Sequence, residues 1–422
     1  MSRPLRSSGA GGAGTAVEAA RPSAGTARAL ALRALVDLDR AGGRANVVVP
    51  ELLGTSRLAD RDRAFVTELV YGTVRMQRAC DWLIDRHLRR PVEAPVRAAL
   101  RLGTYQLSML GTPAHAAVSA TVSEVKGPAR GLVNAVLRRV AQDVAAGLAW
   151  PTDGISLSYP DWIVTELSDA LGAERARAAL EQMNVPARMT VRADGYVQDQ
   201  ASQWAAAALG SGPGERVADL CAAPGGKATL LAYGAVPAYG GAGGPGVGAG
   251  GGFDDDRPSL VVAADLDPGR ASVIAANVDR LGLGNVAVVV ADGLRPPFRP
   301  GTFDRVLVDA PCSGLGVLRR RPDARWRVQP GDVPRLAELQ RRMLDVALDL
   351  SRPGGRVLFS VCTLTRAETT DIDGWLAEAH PEVEAVALDL DPAWEAAGRG
   401  FMLLPHTKAT DGMFLLALQA SR

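Results

Sequence analysis

Residues 217–231 read VADLCAAPGGKATLL. An apolar run ends in an acid, a turn of small residues follows, and a helical pattern begins at once. A parallel sheet passes from strand to helix in this way at its carboxyl edge, where ligands bind. The small residues Ala222, Ala223, Gly225 and Gly226 let backbone amides come close to a ligand, with a helix N-terminus expected beneath them. The turn is neither GxGxxG nor a P-loop. Lys227 is followed by Ala228, so the hydroxyl that would hold magnesium is missing and a nucleoside triphosphate is disfavoured.

The texture continues to the C-terminus. Apolar runs SLVVAAD, VAVVV, FDRVLVD, GGRVLFSVC and MFLLAL alternate with helical patterns such as PGRASVIAANVDRLGL and VPRLAELQRRMLDVALDL. This predicts an α/β domain over 211–422, a Rossmann-like, mostly parallel doubly wound sheet covered on both faces. One segment breaks the pattern. From Gly234 to Gly252, 10 of 19 residues are glycine, which predicts a flexible Gly-rich insertion at 234–257.

Acids recur at the strand ends. Asp265 closes VVAAD, where a carboxylate can accept hydrogen bonds from ribose hydroxyls, and the insertion explains its unusual distance from the glycines. Asp292 and Asp309 end two further strands at the same edge. Such an edge suits a hydroxyl- and amino-bearing ligand that is neutral or cationic and would repel a phosphorylated dinucleotide. S-adenosyl-L-methionine, a sulfonium, fits.

The first 150 residues are different. Patterns such as TARALALRALVDLDRAGG, DRAFVTELVYGTVRMQRACDWLIDRHL, PVRAALRLGTYQLSML and RGLVNAVLRRVAQDV have helical spacing with no β-rich interruption, so 26–150 is an all-helical domain. It ends at Trp150–Pro151, and 151–210 reads as a connector and N-terminal extension of the catalytic domain, with a possible strand in ARMTVRA and a helix opening near Gln198. Residues 1–25 read as a disordered tail. The formal charge of +1 conceals an asymmetry: 26–150 hold 18 Lys and Arg against 11 Asp and Glu, while 151–422 hold 26 against 34. A basic helical module beside an acidic one suggests a polyanion-facing domain.

No secretory signal or membrane span is apparent, which places the protein in the cytoplasm. The four cysteines, Cys80, Cys221, Cys312 and Cys362, form no CxxC pair, and the histidines show no ligand spacing, so no metal is expected. Cys80 reads as core and the Cys221 sulfur as packing. Cys312 and Cys362 are unlike them, because each lies just beyond a strand. If those strands are neighbours, both thiols face the methyl donor. Two thiols there suit cytosine C5, a poor nucleophile until a thiolate adds at C6. Asp309, three positions before Cys312, could stabilise the ring charge near N3. The segment LRRRPDARWR (318–327) carries five arginines and Trp326, which reads as a phosphate clamp with a stacking plane.

The motifs DLCAAPGGKA, DAPCSGLGVLRRRPD, SVCTLTRAE and DGMFLLAL resemble the RNA cytosine-C5 methyltransferases of the Sun/Nop type. The motifs DRAFVTELVYGTVR, LRLGTYQLSML, PAHAAVSATV and GLVNAVLRRV resemble a NusB-like RNA-binding domain, and together the resemblance spans about residues 26–420. It implies a Rossmann-like methyltransferase acting on a cytosine of 16S rRNA, with no obligate protein partner evident. A tRNA substrate is an alternative, as is a NusB-like RNA-binding protein with an inactive methyltransferase half. An amino-methyltransferase is disfavoured because DAPC lacks the aromatic residue of the D/N-P-P-Y/F motif.

Residue by residue, the resemblance makes Cys362 the nucleophile, Cys312 the cysteine that assists product release, and Asp309 the acid touching cofactor and base. It assigns the cofactor to Cys221, Ala222, Ala223, Pro224, Gly225, Gly226 and Lys227, with Asp265, Asp292 and Asp309. Spacing alone does not choose between the thiols, since Pro-Cys, here Pro311–Cys312, is the nucleophile motif of DNA cytosine-C5 methyltransferases. The chain departs from the family at Val361, where Thr is commoner before the nucleophile. It also carries Ala367–Glu368–Thr369 for Glu-Glu-Asn and Met413–Phe414 for Phe-Phe.

Overall fold

A computed structural model describes residues 26–41, 43–234 and 258–420. The tail expected at 1–25 and nearly all of the Gly-rich insertion lie outside the described residues.

The helical domain comprises helices Ala27–Ala41, Ala45–Gly54, Asp60–Arg75, Gln77–Asp85, Ala94–Ser108, Ala114–Ser123 and Ala129–Ala146. Helix Ala94–Ser108 is its axis. Ala98 to Leu100 and Leu102 to Leu107 are buried, so the helix is enclosed on nearly every side by its neighbours. The long pattern expected over 62–88 is two helices broken at Met76. Trp150 packs against Trp82 with ring centroids 5.1 Å apart and planes tilted by 44°, which closes this domain where the sequence places its end.

The second domain is a mixed sheet. Its strands are β1 (Arg216–Asp219), β2 (Leu260–Asp265), β3 (Val286–Val290), β4 (Phe303–Asp309), β5 (Ser351–Val361), β6 (Glu384–Ala385), β7 (Trp394–Ala397), β8 (Gly400–Leu403) and β9 (Met413–Gln419). They lie in the order β3-β2-β1-β4-β5-β9-β8-β7, with β6 also paired to β9. β1 to β5 run parallel, and β6 to β9 add antiparallel pairs at one side. The chain runs outward from β1 to β3 and then returns to β4 beside β1, so the order reverses between β1 and β4. A crevice for ligands opens at such a reversal.

Both faces of the sheet are buried. Along β4, Val306 and Val308 join one core and Leu307 the other. Along β9, Phe414, Leu416 and Leu418 alternate with Leu415 and Ala417 in the same way. Segment 151–210 packs onto both faces of this sheet. Helices Asp161–Leu171 and Ala173–Met183 supply Ile163, Leu167, Ala179 and Leu180 to one core, and helix Gln200–Leu209 covers the other. That helix starts at Gln200, with Asp199 accepting from the Ala201 amide, and the strand expected in ARMTVRA is a single bridge between Val191 and Val197.

The domains are locked together through LRRRPDARWR, and the phosphate clamp expected there fails for most of it. Arg325 is 0% exposed. Its Nη1 donates to the carbonyls of Arg75 (3.2 Å) and Ser158 (3.2 Å) and to Asn184 Oδ1 (3.0 Å), and its guanidinium lies 3.9 Å above the Tyr159 ring. Trp326 donates from Nε1 to the Val74 carbonyl at 2.7 Å. Arg75, itself buried, returns a bond to the Arg319 carbonyl at 3.2 Å. Arg320 is tied to Asp411 and Arg327 to Asp323. Of the five arginines, Arg321 alone is exposed with no side-chain hydrogen bond or ion pair among the described residues. The sequence pattern could not separate a charged face from a seam, because both are rich in arginine.

Candidate active site

The turn after β1 brings the cofactor candidates to one place. Gly225 has φ +104°, a conformation that glycine adopts without strain, and a Cβ there would lie 3.3 Å from Ile274. A Cβ on Gly226 would lie 3.2 Å from the Gln198 amide. The helix beneath, Gly226–Leu231, has only six residues, so the site rests on the turn and the acids more than on a helix dipole. Arg192 pins the 190–198 hairpin to this turn by donating to the Gly226 carbonyl at 2.8 Å.

Carboxylates line the edge. Asp265 accepts from the Ala223 amide (3.3 Å) and the Asp267 amide (3.1 Å), which makes it a brace of the turn as well as its acid. Asp292 lies exposed beyond β3 and accepts from the Leu294 amide at 2.9 Å. Asp219, at the tip of β1, belongs here too, although the sequence reading began the site at Cys221. Its visible signal was the acid that ends VAD. Asp219 is 1% exposed, and its Oδ2 is buried without a partner among the described residues. Burial, then the nearby Asp309 charge, hold its pKa up at about 7. An orphaned acid atom beside other carboxylates fits a cationic, amino-bearing ligand.

The thiols meet as the neighbouring strands require. β4 pairs with β5, and the loops leaving them set Cys312 Sγ 3.4 Å from Cys362 Sγ. Both side chains are partly exposed. Asp309 stands beside them, accepting from Lys227 Nζ at 2.7 Å and from Ser360 Oγ at 3.1 Å. Lys227 therefore touches the acid of the thiol pocket. Burial works against its charge, but Asp309, with Cys362 and Asp219, outweighs burial and raises its pKa.

The two sulfurs are electrostatically unequal. The hydrogen bond from Cys312 is the main cause that holds the Cys362 thiol below its ordinary pKa. Burial and Asp309 oppose this, and Lys227 and Arg321 reinforce it. The same hydrogen bond, then burial, then the charge on Cys362 push Cys312 well above the ordinary value. Both directions favour charge on the Cys362 sulfur over the Cys312 sulfur. The other cysteines are inert: burial raises both, Cys80 at 0% exposed in the helical core and Cys221 packed beneath the turn.

The loops are sewn to each other. The Gly316 amide donates to the Cys362 carbonyl (3.0 Å) and the Gly412 amide to the Gly316 carbonyl (2.9 Å). A Cβ on Gly316 would lie 2.2 Å from the Gly412 carbonyl oxygen, so no other residue fits. Among the described residues no helix is long and apolar enough to cross a membrane.

Comparison with known proteins gives a consistent picture. Residues 256–419 match the family model for the 16S rRNA methyltransferase RsmB/F, and residues 25–142 match the NusB family. The chain is 36% identical to the putative methyltransferase Rv1407 of Mycobacterium tuberculosis over 93% of this chain and 96% of that one. It is 36% identical to the ribosomal RNA small subunit methyltransferase B of Thermus thermophilus over 85% and 89%. The crystal structure of PH0851 superposes with a TM-score of 0.71 at 21% identity, covering 92% of this chain and 98% of that one, a likeness of fold.

Proposed function

Because the chain belongs to the RsmB/F family of rRNA methyltransferases and carries its NusB domain, we propose that it methylates C5 of a cytosine in 16S rRNA through a covalent bond between Cys362 and C6. S-adenosylmethionine, when bound, supplies an electrophilic methyl group. The residues suited to hold it are the turn Cys221 to Lys227 with Asp219, Asp265 and Asp292, whose carboxylates complement its positive charge.

The observation that carries the proposal is the thiol pair at adjacent strand ends, 3.4 Å apart and unequal in acidity. The Cys362 thiolate adds to C6, and the C5–C6 π electrons move to C5 and on into the ring. Asp309, held by Lys227 and Ser360, accepts from the amino group of the base, and the Lys227 ammonium beside it is the cation that steadies the negative charge gathering on the ring. After C5 has taken its methyl group, the C5 proton must leave and the C6–S bond must break, returning the electron pair to Cys362. Cys312 serves this second half. The Cys362 charge that kept its proton on disappears when that sulfur becomes a thioether, so Cys312 then releases its proton to water more readily, and the thiolate it becomes takes the proton from C5 as the C6–S bond electrons return to Cys362.

A stacked, paired cytosine cannot present C6 to a sulfur, so the target is a loop nucleotide or one turned out of its stack. The basic helical domain holds neighbouring RNA, with affinity that falls as salt rises. The test joins bisulfite sequencing of rRNA from a deletion strain with adduct trapping. Loss of one 5-methylcytosine in 16S rRNA supports the substrate. Cys362→Ala should abolish turnover and adduct together, whereas Cys312→Ala should accumulate adduct. Normal turnover by Cys362→Ala refutes the mechanism.

A further inference from the structure

Glu368 is 0% exposed and lies between the two thiol loops. Every group hydrogen-bonded to it is a donor, and its charge is also felt by Glu166 and Cys312. Oε1 accepts from the Ser313 amide (2.8 Å) and from Gln340 Nε2 (3.1 Å). Oε2 accepts from the hydroxyls of Ser313, Thr363 (3.2 Å) and Thr365 (3.0 Å). Ser313 follows Cys312, Thr363 follows Cys362, and Gln340 also donates to the Pro311 carbonyl at 2.9 Å. One carboxylate therefore gathers donors from both sides of the sulfur pair, and its two oxygens saturate their acceptor capacity in doing so. A buried carboxylate is costly unless it is satisfied in this way. An apolar core at this point would have been simpler, yet the site keeps a charge-bearing group beside two reactive sulfurs.

We propose that Glu368 is the positioning residue of the thiol pair: it clamps the Cys312 loop to the Cys362 loop and biases the shared proton toward Cys312. The inference rests on the thiol mechanism proposed above and adds to it the group that sets its asymmetry. The clamp works through two hydrogen bonds on each loop, from the Ser313 amide and hydroxyl on one and from the Thr363 and Thr365 hydroxyls on the other, so a sulfur cannot drift without breaking a bond to the same carboxylate. The bias is electrostatic. The Glu368 charge is among those that hold the Cys312 thiol up.

Iodoacetamide labelling of the full-length protein without RNA, read by peptide mass spectrometry across pH, tests this directly. Wild type should label Cys362 first, with a midpoint below that of an ordinary thiol. Glu368→Gln has nearly the same shape and lacks the charge, and its amide can still give to the hydroxyls and accept from the two N–H groups. It should shift labelling toward Cys312 by about tenfold, an amount equal to ~1.4 kcal/mol, and lower kcat with KM for RNA unchanged. Ser313→Ala, which removes one bridge and leaves the charge, should lower kcat while retaining the Cys362 preference. If Glu368→Gln is folded and its labelling ratio and pH profile match wild type, the positioning role is overturned. If Glu368→Gln does not fold, an Ser313→Ala protein with wild-type kcat overturns the clamp. Because labelling needs no RNA, a shifted ratio combined with absent C5 methylation would sink the proposed reaction and leave the positioning role standing.

Discussion

Arg325→Met tests how the two domains are coupled. Methionine keeps most of the apolar stem and removes the guanidinium. Wild-type Arg325 makes hydrogen bonds to the carbonyls of Arg75, Ser158 and Leu318 and to Asn184 Oδ1. Charge-assisted bonds contribute about 1.5 kcal/mol each at the low end, about 6 kcal/mol together. Burial opposes them. It lowers the guanidinium pKa from 12.5 to about 10, which corresponds to a cost of about 3.4 kcal/mol at ~1.4 kcal/mol per pH unit. The difference, about 3 kcal/mol, is what the variant should lose. At about 2–4 °C per kcal/mol for a domain of this size, Tm should fall by roughly 6–12 °C. The carbonyls of Arg75 and Ser158 belong to opposite sides of the seam, so the loss should appear first as separation of the domains. Differential scanning calorimetry should show an early transition, limited proteolysis should cut faster near Trp150, and KM for RNA should rise more than kcat falls. A Tm within ~1 °C of wild type with an unchanged cleavage rate would refute the account.

Three further outcomes follow from the site. Native Asp219 keeps its proton to about pH 7, whereas an ordinary aspartate releases it near 3.8, so the native state binds more protons between these values and its stability falls as pH rises through them. Asp219→Asn lacks that loss, and its stability relative to wild type should rise from pH 4 to pH 8 by up to ~4 kcal/mol in urea titrations of the ligand-free protein; a constant difference would contradict the burial argument. Lys227→Met removes a cation that lowers Cys362, so the midpoint of Cys362 alkylation should move to higher pH, and an unchanged or lower midpoint would remove Lys227 from the thiolate's environment. Gly316→Ala places a Cβ 2.2 Å from the Gly412 carbonyl oxygen and should destabilise by about 3 kcal/mol, seen as a lower urea midpoint and lost turnover.

Much of the site could be read in the chain. Acids at the ends of apolar runs placed Asp265, Asp292 and Asp309 at one sheet edge, because a parallel strand buried on both faces has a legible end. The same logic put Cys312 and Cys362 beyond their strands. It missed Asp219, although that acid ends the first strand in the same way. Glu368 is the one position of Ala367–Glu368–Thr369 that agrees with the family's triplet, and its role was hidden because its donors come from segments far apart in the chain. LRRRPDARWR misled for a related reason. An arginine's aliphatic stem and planar head serve a buried seam as well as a phosphate, and only its neighbours distinguish the two.

By itself the sequence determined two textures, the helical and the alternating, and the chemical types at the strand ends. These follow from local periodicity, which the chain carries in every window of a dozen residues. Only the tertiary structure decided that β4 lies beside β5, so that two sulfurs fifty positions apart touch. It also decided that Arg325 faces Arg75 across the seam and that Glu368 faces both thiol loops. Those pairings depend on strand order and domain docking, which are settled by burial summed over the whole molecule and leave no periodic trace in any one segment.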